Sequence, residues 1–66
     1  EYDEAIKQYN SAININPYLA EAYYNRGLAY ILNGKKAEGV ESLSKAGELG
    51  LYDAYSVIKQ NSKGAK

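Results

Sequence analysis

AEAYYNRGLAYILNGKKAEGVESLSKAGEL, residues Ala20 to Leu49, decides how this chain folds. Small and apolar residues recur through it at three- and four-residue spacing, and Asn33-Gly34 interrupts them once. That spacing lines up one side of a helix. Glycine just past a helix end accepts the left-handed backbone that stops it. The stretch therefore reads as two helices joined by a tight turn, the first over about Tyr18 to Leu32 and the second over about Lys36 to Leu49. The first carries two apolar faces. One holds Ala22, Tyr23, Gly27 and Tyr30. The other holds Tyr24, Leu28, Ile31 and Leu32, with Glu21 and Asn25 at its N-terminal end. An interior glycine costs about 1 kcal/mol of helix propensity relative to alanine, so Gly27 points to close approach by another backbone. The second helix packs through Gly39, Val40, Leu43, Ala46, Gly47 and Leu49, a side made largely of small residues.

Upstream, Tyr2 to Ile15 shows the same helical rhythm in Ala5, Ile6, Tyr9, Ala12 and Ile13. Asn16-Pro17 closes that helix, because a residue before proline is pushed out of the helical region. The same pair is expected to open the next helix, with Asn16 as cap and Pro17 in the first turn. Downstream, Gly50 ends the third helix. A short fourth one is expected from about Tyr52 to Gln60, through Ala54, Tyr55 and Ile58, before the polar NSKGAK tail, expected to fray.

Shifting the chain by 34 residues lays its first helix on its third. Ala5 falls on Gly39, Ile6 on Val40, Tyr9 on Leu43, Ala12 on Ala46 and Ile15 on Leu49. A period of that size is the sign of stacked helical arrays. The fourth helix echoes the second at an offset of 32, with Asp53-Ala54-Tyr55 against Glu21-Ala22-Tyr23.

With Tyr23-x2-Arg26-Gly27-x2-Tyr30 followed by Gly39-x3-Leu43-x2-Ala46, and with Ala5-x3-Tyr9-x2-Ala12-x4-Pro17 before it, the chain resembles the tetratricopeptide-repeat family. The resemblance covers about residues 1 to 51. Departures are Tyr23 for tryptophan, Arg26 for leucine, Gly39 for alanine and Leu51 for proline. KAGELGLYDAY also resembles the junction of Sel1-like repeats, so the fourth helix is read as either a cap or the start of another repeat. The expected fold is all-α: a fragment of an α-α superhelix built from antiparallel hairpins, about four helices in all. Residues 1–16 would be the second helix of a preceding repeat, 17–50 a complete hairpin, 51–61 the cap or next repeat, and 62–66 a polar tail. The resemblance further implies a concave groove for a peptide or protein segment, lined here by Glu21, Tyr24, Asn25, Leu28, Ile31 and Leu32. Some relatives hold a C-terminal carboxylate on this face with lysines, an arginine and asparagines. Tyr24 and Leu28 stand where a lysine and an asparagine are needed, so that clamp is not expected.

Composition narrows the classes. In 66 residues there is no cysteine and no histidine, which removes disulfides and the usual structural zinc sites. Eight basic side chains balance eight acidic ones, so nothing favours nucleic acid or anionic lipid. No apolar run approaches the ~20 residues that cross a bilayer. No Gly-rich phosphate loop is present, and the carboxylates fall at helix starts and solvated faces, so no enzyme and no cofactor are expected. The compartment is not encoded. Eight tyrosines with no Phe or Trp suit half-buried helix positions, where a ring stays dry and a hydroxyl wet.

The function expected is therefore a protein-interaction or scaffold module with an apolar, aromatic groove. The bland alternative is that the fourth helix or another copy covers those residues, leaving a purely structural or self-associating segment. A chain this short buries a marginal core, and it is expected to be part of a longer protein. Its first helix would then lack a partner, leaving Ile6, Tyr9 and Ile13 to join copies into a homo-oligomer.

Overall fold

The computed structural model describes residues 1–63. Four helices follow one another: α1 Tyr2–Ile15, α2 Ala20–Leu32, α3 Lys36–Glu48 and α4 Asp53–Lys63. Among the described residues there is no strand. Short connections turn each helix back along the one before it. Asn33 of the α2 end donates to Asp3 near the start of α1 at 3.0 Å, and Arg26 donates to Asn10 at 2.9 Å. Those pairs fix α1 and α2 as antiparallel neighbours.

The two C-terminal stops are built alike. After α2, Gly34 at φ 81° lets its own N–H reach Ile31 O and the Lys35 N–H reach Tyr30 O. After α3, Gly50 at φ 109° does the same for Gly47 O and Ala46 O, the second through the Leu51 N–H. Each glycine thereby satisfies carbonyls that a helix end otherwise strands.

The start of α2 differs from expectation. The helix begins at Ala20, with Leu19 as its cap and no side-chain cap hydrogen bond. Asn16 instead ends α1 in an extended conformation, and its Oδ1 accepts the Tyr18 N–H at 3.1 Å. The Leu19 N–H also bonds Asn16 O at 3.2 Å, so Asn16 to Leu19 form a turn, and Leu19 itself is extended at φ −80° and ψ 90°, so the helix starts after it. Pro17 therefore sits in the turn, where its carbonyl accepts the Tyr23 hydroxyl at 3.0 Å. The C-terminal expectation also needs correction. α4 continues through Asn61 to Lys63, with the Asn61 amide donating to Val57 O at 2.9 Å. The rest of the expected tail, residues 64–66, lies outside the described residues.

The core sits between α2, α3 and α4. Leu43, Ala46 and Ala54 are fully buried and Tyr23 nearly so, with Ile13, Tyr24, Ile31, Leu49, Leu51, Val57 and Ile58 packed around them. Small residues make this possible. A methyl added at Gly27 would stand 2.9 Å from Gly39 O, and one added at Gly39 would stand 2.9 Å from Gly27 O. α2 and α3 thus cross backbone to backbone. Gly47 gives the Tyr55 ring the same close access between α3 and α4.

Candidate protein-binding face

At 100° per residue, α2 divides into three sides. Ala22, Arg26, Ala29 and Asn33 turn toward α1, as the hydrogen bonds to Asn10 and Asp3 require. Tyr24, Gly27 and Ile31 turn toward α3. Glu21, Asn25, Leu28 and Leu32 fall between these two packed sides, on the side away from Tyr23 and Tyr30. Glu21, Asn25 and Leu32 are exposed and Leu28 is half-buried. Leu32 stands out at 65% exposure.

The six expected groove residues are therefore not equivalent. Tyr24 and Ile31 are half-buried and packed on the core. Ile31 Cγ1 lies 2.5 Å from where a Gly39 side chain would begin, so it fills the space that glycine leaves. Ile31 and Gly27 share the α2–α3 seam, contrary to the expectation that they occupy separate faces. The reason is angular. The two residues lie about 40° apart around the helix, and a glycine crossing brings α3 near enough to cover both.

The three residues expected to join copies differ in exposure. Ile6 is 8% exposed, buried within the chain itself, and Ile13 packs against the core. Tyr9 is half-buried. The large apolar residues that α1 leaves exposed are Tyr2 at 42% and Ile15 at 85%.

One polar arrangement escaped the sequence. Arg26 Nε donates to the Ser42 hydroxyl at 3.0 Å while Nη1 donates to Asn10 Oδ1, so one guanidinium ties α1, α2 and α3 together. Its carbon lies 5.3 Å from the Tyr23 ring centre and 5.9 Å from that of Tyr30. The Ser42 bond is part-buried and the Asn10 bond is exposed, so the guanidinium joins the helices while its outer edge faces water. Ser42, 2% exposed, is the buried hydroxyl it satisfies. An arginine on a packed stripe, flanked by tyrosines at i−3 and i+4, was the available signal.

No helix among the described residues is long and apolar enough to cross a membrane.

Comparison with known proteins follows the same repeat. A family model described as TPR repeat matches residues 1–34, and one described as Tetratricopeptide repeat matches residues 20–54. The Hsp70-Hsp90 organizing protein of Triticum aestivum is 45% identical over 49 residues, 74% of this chain and 8% of that protein. The small glutamine-rich tetratricopeptide repeat-containing protein 2 of Saccharomyces cerevisiae is 33% identical over 66 residues, the whole of this chain and 19% of that protein. The chain thus spans less than a fifth of either relative's length. No solved structure matches.

Proposed function

The chain belongs to the tetratricopeptide-repeat family, whose members are protein-interaction modules, and we propose that it holds an extended or helical segment of another protein along the outer side of α2. Leu32, with Leu28 one turn before it, would supply the apolar contact. Asn25 would offer a side-chain amide to the ligand backbone, and Glu21 would mark the N-terminal end. Tyr24 and Ile31 form the margin of the face and act mainly by holding it in place.

The observation that carries this reading is the 65% exposure of Leu32 on a helix packed on two sides. Burying one leucine is worth roughly 1.5–3 kcal/mol, enough for a pair of them to matter in a modest interface. A helix fixed by α1 and α3 presents them with little further loss of freedom, which favours binding. The name of the wheat relative, an organizing protein for Hsp70 and Hsp90, describes a protein that brings other proteins together and agrees with a binding role.

Peptides selected from a random display library against this chain test the reading. The expected binders are apolar-rich, lose about tenfold or more in affinity with Leu28→Ser or Leu32→Ser, and depend little on salt. Binding untouched by both substitutions would remove the reading. A steep fall with ionic strength would point instead to a polyanionic ligand.

A further inference from the structure

We infer that Asn33 is a deamidation site that the folded α2–α3 turn keeps closed, and that the acidic product formed when the turn opens loosens α1 from α2.

The inference starts from covalent chemistry. Of the asparagines in the chain, Asn33 alone is followed by glycine. Asparagine is thermolabile, and a glycine after it has no side chain to hinder its own nitrogen. In the reaction the Gly34 backbone nitrogen gives its proton to solvent and bonds to Asn33 Cγ. The Cγ–Nδ2 bond breaks, and Nδ2 takes a proton from solvent to leave as ammonia. Water then opens the cyclic imide at one carbonyl or the other, giving aspartate or isoaspartate at position 33.

Three features of the fold hold the amide back. The Gly34 N–H is engaged with Ile31 O at 3.0 Å. Asn33 has ψ 9°, which nearly eclipses the Gly34 nitrogen with Asn33's own nitrogen and turns it away from the side chain it must reach. Asn33 Nδ2 donates to Asp3 Oδ1 at 3.0 Å, which holds the carboxamide toward α1. Ring closure therefore waits for the end of α2 to unwind, and the Lys35 N–H bond to Tyr30 O is lost with it. Gly34 is exposed, so solvent reaches the turn as soon as it opens.

The product undoes the contact that Asn33 made. A donor facing Asp3 becomes a second carboxylate, and carboxylates sharing a site repel. Glu1 and Glu4 add negative charge at the same end of α1. The new charge also stands at the C-terminus of α2, the negative end of the helix dipole. The isoaspartate form further lengthens the main chain inside the turn.

Peptide-level mass spectrometry at mildly alkaline pH, on the chain folded or in urea, reads the first half. Asn33 should convert to the acid in both states, about tenfold or more slowly when folded, while Asn25 stays unchanged. An equal rate in both states, or no conversion in either, overturns the inference. Amide hydrogen exchange reads the second half. Exchange in α1 should quicken about threefold or more with Asn33→Asp, and more than with Asn33→Ala. It should slow again in Asp3→Asn/Asn33→Asp, where amide and carboxylate trade places. Exchange in α1 unaltered by Asn33→Asp, or no recovery in the traded pair, also overturns the inference.

Discussion

Gly27 and Gly39 lie back to back, each with its carbonyl oxygen 2.9 Å from where the other's side chain would begin. This contact sets how closely α2 and α3 approach. Gly27→Ala gains about 1 kcal/mol of helix propensity but forces a methyl against a backbone oxygen and Leu43. Overpacking of this kind costs roughly 1–3 kcal/mol, and because a backbone atom cannot swing aside, the steric term should win. Urea denaturation should show net destabilisation of about 1 kcal/mol. An unchanged or raised midpoint would mean the helices separate at little cost.

Gly34 poses the opposite case. Nothing lies within 4 Å of a side chain added there, but its φ is 81°. Gly34→Ala should therefore lose roughly 1–2 kcal/mol through backbone strain alone. Gly34→Asn should lose less, because asparagine tolerates the left-handed region. Thermal melting of the pair separates strain from crowding.

Arg26→Leu restores the residue usual in the family yet should weaken this protein. It leaves the Ser42 hydroxyl, 2% exposed, without its guanidinium partner. An unsatisfied buried polar group costs about 1–3 kcal/mol. Arg26→Leu combined with Ser42→Ala should recover part of that loss, giving a non-additive cycle. Strict additivity would show that the bond contributes nothing.

Tyr23→Phe removes one hydrogen bond, from the tyrosine hydroxyl to Pro17 O, and keeps the buried ring. A loss of roughly 0.5–1.5 kcal/mol is expected. Exchange should quicken most for amides of the α1–α2 turn.

Leu32→Ser should leave stability within about 0.5 kcal/mol, as for surface substitutions generally, because Leu32 is 65% exposed. Ile31→Ala should cost about 2 kcal/mol or more, because its side chain fills the space over Gly39. Equal costs at the two positions would erase the distinction between an open face and a packed seam.

Helix positions were legible in the residues. The spacing of Ala5, Ile6, Tyr9 and Ile13, and the stops at Gly34 and Gly50, depend on chain-local chemistry that each segment carries with it. α1 begins and ends where the periodicity puts it. The start of α2 differs because residues 16–19 form a turn, closed by the Leu19 N–H on Asn16 O, and Leu19 is extended, which local residue preferences at Asn16-Pro17 do not distinguish from a helix start. The exposed and packed residues of α2 were only partly legible. Periodicity ranks residues by angle, and Ile31 lies on the borderline.

By itself the sequence determined an all-α chain, its repeat and the family it belongs to, because those follow from local periodicity, turn chemistry and self-similarity. Tertiary structure alone decided that Ile6 is buried, that Ile31 joins Gly27 against α3, and that Arg26 ties three helices through Asn10 and Ser42. Such facts depend on interhelical distance. Two glycines on different helices set that distance jointly, and neither segment encodes it alone.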